Sequence, residues 1–214
     1  MLILASASPR RRELLAQVGY EFLVRPAHIS EDPLEGEGPI AYVTRLAREK
    51  AEVMYRQALA ARQAMEHPHG MSPIPGGTSP IPDRASPIVV LGADTTVTLD
   101  NAILGKPEDA ADAARILRLL SGRTHRVITG LSVVTANGAE VAAEATAVRF
   151  LTLSEQEIAA YIATGEPMDK AGAYGIQGRA ARWIPRIEGC YFNVMGLPLA
   201  LVCSLLEPFV PTMQ

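Results

Sequence analysis

Residues 2–19, LILASASPRRRELLAQVG, pass from a short apolar run through a small-residue turn into a helix. Leu2 to Ala5 read as a buried strand. Ser8 suits an N-cap, Pro9 suits the first helical position, and Gly19 stops the helix after Val18. Leu14, Leu15 and Val18 share one helical face, opposite most of the charge. A strand, a tight turn and a helix N-terminus aim backbone N–H groups and the positive end of a dipole at one spot, where Ser6 and Ser8 add hydroxyls. Arg10, Arg11 and Arg12 follow at once, and cations in a first turn oppose that dipole. Two readings compete: a solvated helix start, or a cradle whose charge conflict is relieved by an anion. It is not a Walker A loop, because G-x-x-x-x-G-K-[ST] is absent.

Beyond this stretch, residues 22–30 look extended, and Glu31 and Asp32 open an acidic loop. A long helix is expected from about Ile40 to Met65. Its stripe of Tyr42, Val43, Leu46, Ala47, Lys50, Ala51 and Met54 has helical spacing but includes a lysine, which either snorkels or faces an anion. Residues 67–87, dense in Pro, Gly and Ser with SPIP twice, predict a mobile insertion rather than a domain boundary, since IVVLG resumes at once. His67 and His69 there lack the further ligands a metal needs.

Ile88 to Gly92 read as a buried strand ending in GADTTV, followed by a turn and a helix from about Asp109 to Leu120 with Gly122 as its stop. Residues 124–153 predict two long strands around an Asn137-Gly138 turn, then a helix from about Ser154 to Thr164 opened by a Ser154/Glu157 capping box. DKAGAYGIQG, 169–178, is a glycine-punctuated loop, ARWIPRIEGCYFNVMG, 181–196, a second hairpin, and a last helix begins near Pro198. Hairpins beside α/β crossovers predict one α/β domain over residues 1–214, with a central mixed β-sheet flanked by helices.

A chain of 214 residues with net charge −3 can bury a core without staples, and it lacks the basic excess of a stable nucleic-acid binder. Cys190 and Cys203 have no metal-ligand spacing and read as buried free thiols in a reducing compartment. No leader pattern opens the chain, and no apolar run approaches the roughly 20 residues of a membrane span. A cytoplasmic protein is expected.

Asp94, placed just past the end of a buried strand, sits where α/β folds put reactive groups. It reads as a general base or Mg²⁺ ligand, or else as a turn aspartate bonded to a following amide. Lys106, in LGKPED, is a candidate cation in a tight turn, or a surface lysine. Alternation would put Arg123 and His125 on one face with Arg126 opposite, and His125 reads as structural. Gln177 offers a donor and an acceptor side by side, matching a uracil or thymine edge; a flipped amide also matches cytosine.

LILASASPRRRELL, RLAREKA, GADTTV, LGKP, LSGRTHRVITGL, EPMDKAGAYGIQG and VMGLPL, in this order, resemble the Maf family of nucleotide pyrophosphatases over nearly the full length, the 67–87 insertion excepted. The resemblance implies a Maf/ITPase-like mixed α/β fold with a phosphate-binding cleft. It also implies hydrolysis of nucleoside triphosphates to monophosphate and pyrophosphate, assisted by Mg²⁺ or Mn²⁺. It places the proton acceptor on Asp94, cationic residues on Lys50 and Lys106, and substrate choice on Arg10, Thr95 and Gln177. Arg11 is a possible second phosphate contact, with Arg12 solvated, and a loop acid falls on Glu31, with Asp32 adjacent. Glu31 shares with Asp94 the candidacy for metal ligand. The glycine-loop version looks like the branch acting on dTTP and UTP, and a homodimer is the family expectation. Two alternatives stand: a nucleotide-binding regulator of cell division or septum formation, and a house-cleaning enzyme for modified pyrimidine nucleotides.

Overall fold

The computed structural model describes residues 1–66 and 86–210, so His67, His69 and nearly all of the 67–87 insertion lie outside the described residues. In chain order the elements are β1 (Leu2–Leu4), α1 (Pro9–Gln17), β2 (Leu23–Val24), α2 (Pro39–Glu66), β3 (Val89–Leu99), β4 (Ala102–Leu104), α3 (Ala110–Leu120), β5 (Thr124–Thr135), β6 (Gly138–Arg149), α4 (Glu155–Ile162), β7 (Arg186–Glu188), α5 (Tyr191–Val194) and α6 (Leu199–Leu206), with single-turn 3₁₀ segments at Ala171–Ala173 and Arg179–Trp183. The seven strands form one mixed sheet in the order β2-β1-β3-β5-β6-β7, with β4 on the flank of β3. β1 runs parallel to β2 and β3, and every other pairing is antiparallel.

The opening stretch folds as its residues dictate. Ser8 caps α1 by accepting the Arg11 N–H at 3.5 Å, Pro9 occupies the first turn, and Gly19 takes the φ of +81° that ends the run. Leu14 and Leu15 pack with Leu2, Leu4, Leu91 and α6 on one face of the sheet. The Ser154/Glu157 capping box forms at the start of α4.

Helix α2 covers the other face, and two glycines let its backbone touch the sheet. A Cβ on Gly92 would stand 2.0 Å from the Ala47 carbonyl oxygen, and one on Gly130 would stand 2.4 Å from the Val43 carbonyl. Any side chain at either position would lift the helix away. Because successive strand residues point to opposite faces, Gly92, Asp94 and Thr96 face α2, while Ala93, Thr95 and Val97 face the opposite layer.

Four expectations are corrected. β3 does not end before GADTTV but runs through it, with Asp94 paired to Gly130 in mid-ladder, so Asp94 is neither past a strand end nor in a turn. Asp100 and Asn101, at φ of 50° and 66°, form a two-residue turn that folds β4 back on β3. The β5–β6 turn falls one residue early, on Ala136 and Asn137, with Thr135 facing Gly138. Residues 181–196 are not a hairpin: β7 pairs only with β6, and the chain then turns into α5. The two cysteines are free and half-buried rather than buried. Among the described residues no helix is long and apolar enough to cross a membrane.

Candidate active site

A cleft of about 790 Å³ opens between the β1–α1 turn, α2, the middle of β3, the turn after β4 and the glycine loop after α4. Every one of the expected site residues lines it: Ser6, Ser8, Arg10 and Arg11 from the first turn, then Glu31, Lys50, Asp94, Thr95, Lys106 and Gln177. That size accommodates a nucleotide-scale ligand. Five cations and four carboxylates line it, a local positive balance in a chain of net charge −3.

Its deepest point is an ionic triad. Lys50 is 7% exposed, and its ammonium donates to Asp94 Oδ1 at 2.7 Å while Glu31 Oε1 lies at 2.5 Å. The lysine in the apolar stripe therefore does not snorkel. Contact of α2 with Gly92 and Gly130 brings its backbone close enough for this reach. Burial pushes the Asp94 carboxyl above its usual range, and nearby Glu31 adds to this, against the opposing pull of Lys50 and Arg11. Burial also pushes Glu31 up, but Lys50, Lys106 and Arg11 together hold it below the ordinary value.

The acidic loop is tied onto α2, which decides between its two acids. Tyr42 donates its hydroxyl proton to the Glu31 carbonyl at 2.8 Å, and Arg45 grips Glu37 at 2.7 Å and the Asp32 carbonyl at 3.0 Å. The Asp32 carboxylate turns away to accept from Ser30 Oγ, while Glu31 meets Lys50. Tyr42 was visible in the sequence only as a member of the apolar stripe; burial beside Asp94 and Glu31 pushes its phenol up to about 12.

The neighbouring arginines divide their work in a way the sequence pattern does not disclose. Arg11 turns inward, donating to Gly196 O at 2.8 Å, Ala93 O at 2.9 Å, Thr95 Oγ1 at 2.8 Å and Ser6 Oγ at 3.3 Å. With most of its five donors occupied by the protein, it ties the first turn to β3 and to the α5–α6 connection. It lines the cleft, where a second phosphate contact is expected of it, and it also clamps the cleft wall. Arg10 makes no hydrogen bond or ion pair among the described residues and faces the cleft, as does the exposed Lys106. Arg12 is exposed, as expected. Thr95, held by Arg11, also shares a 2.9 Å hydrogen bond with Thr129, so its hydroxyl is engaged behind the cleft wall.

On the opposite wall, the glycine loop docks by the Gly172 N–H donating to Gly105 O at 3.0 Å, beside Lys106. Gln177 is exposed, and its amide makes no hydrogen bond among the described residues. Glu166, which sequence reasoning passed over although it stands in the quoted GEPMDKAG stretch, lies beneath this loop and lines the cleft. Beneath the same wall His125 is 2% exposed, shares a 2.8 Å hydrogen bond with Tyr174, and packs edge-on against Phe150 and Tyr174. Burial pushes its imidazole down to about 4, and it does not reach the cleft, which matches the structural reading. Arg123 precedes β5 and pairs with Asp100 at the surface.

Among the described residues there is no group of three or more His, Cys, Asp or Glu side chains set to hold a metal. Two carboxylates, Glu31 and Asp94, do converge on one cationic atom.

A family model described as Maf-like protein matches residues 1–209. The chain is 48% identical over 206 residues to the dTTP/UTP pyrophosphatase of Koribacter versatilis (strain Ellin345), covering 96% of this chain and 93% of that one. It is 49% identical over 210 residues to the dTTP/UTP pyrophosphatase of Moorella thermoacetica (strain ATCC 39073 / JCM 9320), covering 97% and 94%. To the enzyme of the same name from Vibrio cholerae serotype O1 (strain ATCC 39315 / El Tor Inaba N16961) it is 46% identical over 208 residues, 97% of each chain. Since the match runs through every segment that builds the cleft, the chain belongs to the Maf family.

Proposed function

We propose that this protein is a nucleoside triphosphate pyrophosphatase that hydrolyses dTTP and UTP to the monophosphate and pyrophosphate. The observation that carries the reading is Asp94 itself: a carboxylate buried in mid-strand, 2.7 Å from a buried lysine, at the floor of a net-positive cleft. A binding module has no need of such a base.

In this reading Asp94 takes the proton from the water that attacks the α-phosphorus. Burial raises its carboxyl, which makes the carboxylate a stronger base than an exposed aspartate, while Lys50 and Arg11 pull it back toward the ionised form. Lys50, Lys106 and Arg10 neutralise charge gathering on the phosphate oxygens and the departing pyrophosphate. The hydroxyls of Ser6 and Ser8 and the N–H of Arg10 receive phosphate oxygens. Arg11 holds Ser6 and Thr95 in place, so Thr95 acts on substrate choice through the shape of the wall. The Gln177 amide, which has no hydrogen-bond partner among the described residues, reads the pyrimidine edge.

Glu31 and Asp94 fit a divalent cation: Mg²⁺ and Mn²⁺ are held by one or two carboxylates together with substrate phosphates, and the point where these two converge already accepts a positive charge from Lys50. When bound there, the cation supplies neutralisation of the triphosphate. The two free cysteines support a cytoplasmic setting, and a homodimer is proposed on the family resemblance alone.

The test is pyrophosphate release from a panel of ordinary and modified nucleoside triphosphates with Mg²⁺ or Mn²⁺. Release from dTTP and UTP, lost in Asp94→Asn, is expected. Binding of these nucleotides without release would sink the enzyme reading and leave the regulator of division in its place. A strong preference for modified pyrimidines would move the assignment to house-cleaning.

A further inference from the structure

The loop that carries Gln177 is hung from two side chains beneath it. Glu166 follows α4, and its carboxylate lies under residues 175–179. Its Oε1 accepts the Tyr161 hydroxyl at 2.9 Å, and its Oε2 accepts the Arg179 N–H at 3.2 Å. The Tyr161 oxygen in turn accepts the Gly175 N–H at 3.2 Å. With Tyr161 receiving from Gly175, its own proton goes to Glu166. An ionised carboxylate only accepts, so both donors aimed at Glu166 hold the loop in one arrangement.

Between these two attachments the turn is closed by the Gly178 N–H donating to Gly175 O at 3.0 Å, and Gln177 sits inside it. A Cβ on Gly178 would stand 1.7 Å from Glu166 Oε1, so only glycine lets the carboxylate lie against the loop backbone. Lys170 closes the underside, donating to the Glu166 carbonyl at 2.7 Å, and a Cβ on Gly175 would stand 2.9 Å from its Cε. Because the Gln177 side chain has no hydrogen-bond partner among the described residues, the loop backbone sets how far into the cleft its amide can reach.

We propose that Glu166 is a positioning residue for substrate selection: through Tyr161 and the 175–179 backbone it sets the depth of the Gln177 amide, and so makes the cleft accept a pyrimidine in preference to a purine. The inference rests on the pyrophosphatase reading above and on Gln177 meeting the base.

The experiment measures kcat and KM for UTP and ATP on the full chain, as wild type, Glu166→Ala, Glu166→Gln, Tyr161→Phe, Gln177→Ala and the double variant Glu166→Ala/Gln177→Ala. Glu166→Ala should lower the UTP-to-ATP ratio of kcat/KM by about tenfold, through KM for UTP, with kcat changed by less than about threefold. Glu166→Gln, which keeps one acceptor oxygen, should recover part of the ratio. In the Gln177→Ala background the further loss of Glu166 should leave the ratio unmoved, an outcome that general destabilisation does not produce. Should Glu166→Ala not fold, Tyr161→Phe removes one hydroxyl from the same support and should shift the ratio in the same direction. An unchanged ratio in active single variants overturns the inference, as do losses that multiply in the double variant. Wild type that releases no pyrophosphate from UTP overturns the parent reading, and this one with it.

Discussion

The two walls of the cleft are built differently. On one wall the charged groups stand on regular elements: Lys50 on α2 bonded to buried Asp94 in mid-β3, and Arg11 in the first turn of α1 bonded to the β3 carbonyl of Ala93. On the other, residues 166–178 are loop, shaped by Glu166 and Tyr161 and resting on the His125, Phe150 and Tyr174 cluster. Stabilising charge as it develops requires groups whose positions do not yield, and hydrogen-bonded ladders supply that. Choosing among bases requires only that one edge be met at the right depth, which a supported loop supplies. Lys50 and Asp94 on the first wall should therefore govern rate, and the Gln177 loop on the second should govern the choice of base.

The hardest blow to the first wall is Asp94→Asn. Loss of the proton acceptor should lower kcat by about 10³, within the usual range for a general base. Its stability should not fall, because burial raises the folded carboxyl above its unfolded value, so the ionised form is held at a cost that the amide removes. A thermal melt showing a large loss of Tm would break this account. Lys50→Met keeps the apolar stem and should cost about 10² in kcat. Without the ammonium the Asp94 carboxyl rises further, so the acid limb of the kcat/KM pH profile should move to higher pH. A limb that stays put would mean that Lys50 does not govern Asp94.

A smaller effect tests the foundation beneath that wall. Gly130→Ala puts a methyl where the Val43 carbonyl now lies, 2.4 Å away, and should destabilise the fold by about 1–3 kcal/mol in denaturant titration. Activity should fall with it, since lifting α2 parts Lys50 from Asp94. Stability lost with full activity retained would separate helix seating from the site.

The corresponding test beneath the second wall is pH. The His125 imidazole, at about 4 when folded, binds in the unfolded chain, near 6.5, a proton that the folded protein refuses. Stability is therefore undiminished by this group above pH 6.5 and falls as the pH drops toward 4. The loss should be about 2 kcal/mol by pH 5. Denaturant midpoints at pH 7 and pH 5 should differ less in His125→Phe than in wild type; an equal difference would place the acid sensitivity elsewhere.

Much of the first wall was legible in the sequence because its geometry is local. Ser8, Pro9 and Gly19 delimit α1 by capping and turn chemistry, and the lysine at a stripe position of a long helix marked a position to explain, which the structure resolves by its buried contact with Asp94. The place of Asp94 was misread because GADTTV, with glycine and an acid, looks like a strand end, whereas pairing with Gly130 carries the ladder through it. Residues 181–196 suffered the opposite error: their apolar alternation suggested two strands, but only residues 186–188 find a neighbouring strand edge. The second wall was half-legible. Its glycines marked it as a loop, but Glu166 gave no pattern, because its partners Tyr161 and Arg179 lie on either side of the loop and meet only on folding.

The sequence by itself determined most of the order of strands and helices, the anion-facing turn and the ten expected site residues that line the cleft, since periodicity, caps and family motifs are written in the order of the chain. Tertiary structure alone decided that Arg11 turns into the cleft wall while Arg10 faces the cleft, that Glu31 rather than Asp32 meets Lys50, and that Glu166 lies beneath the loop of Gln177. Each of these choices depends on which atoms lie across the cleft, and residues adjacent in sequence carry no record of that until β3, α2 and the glycine loop are packed against one another.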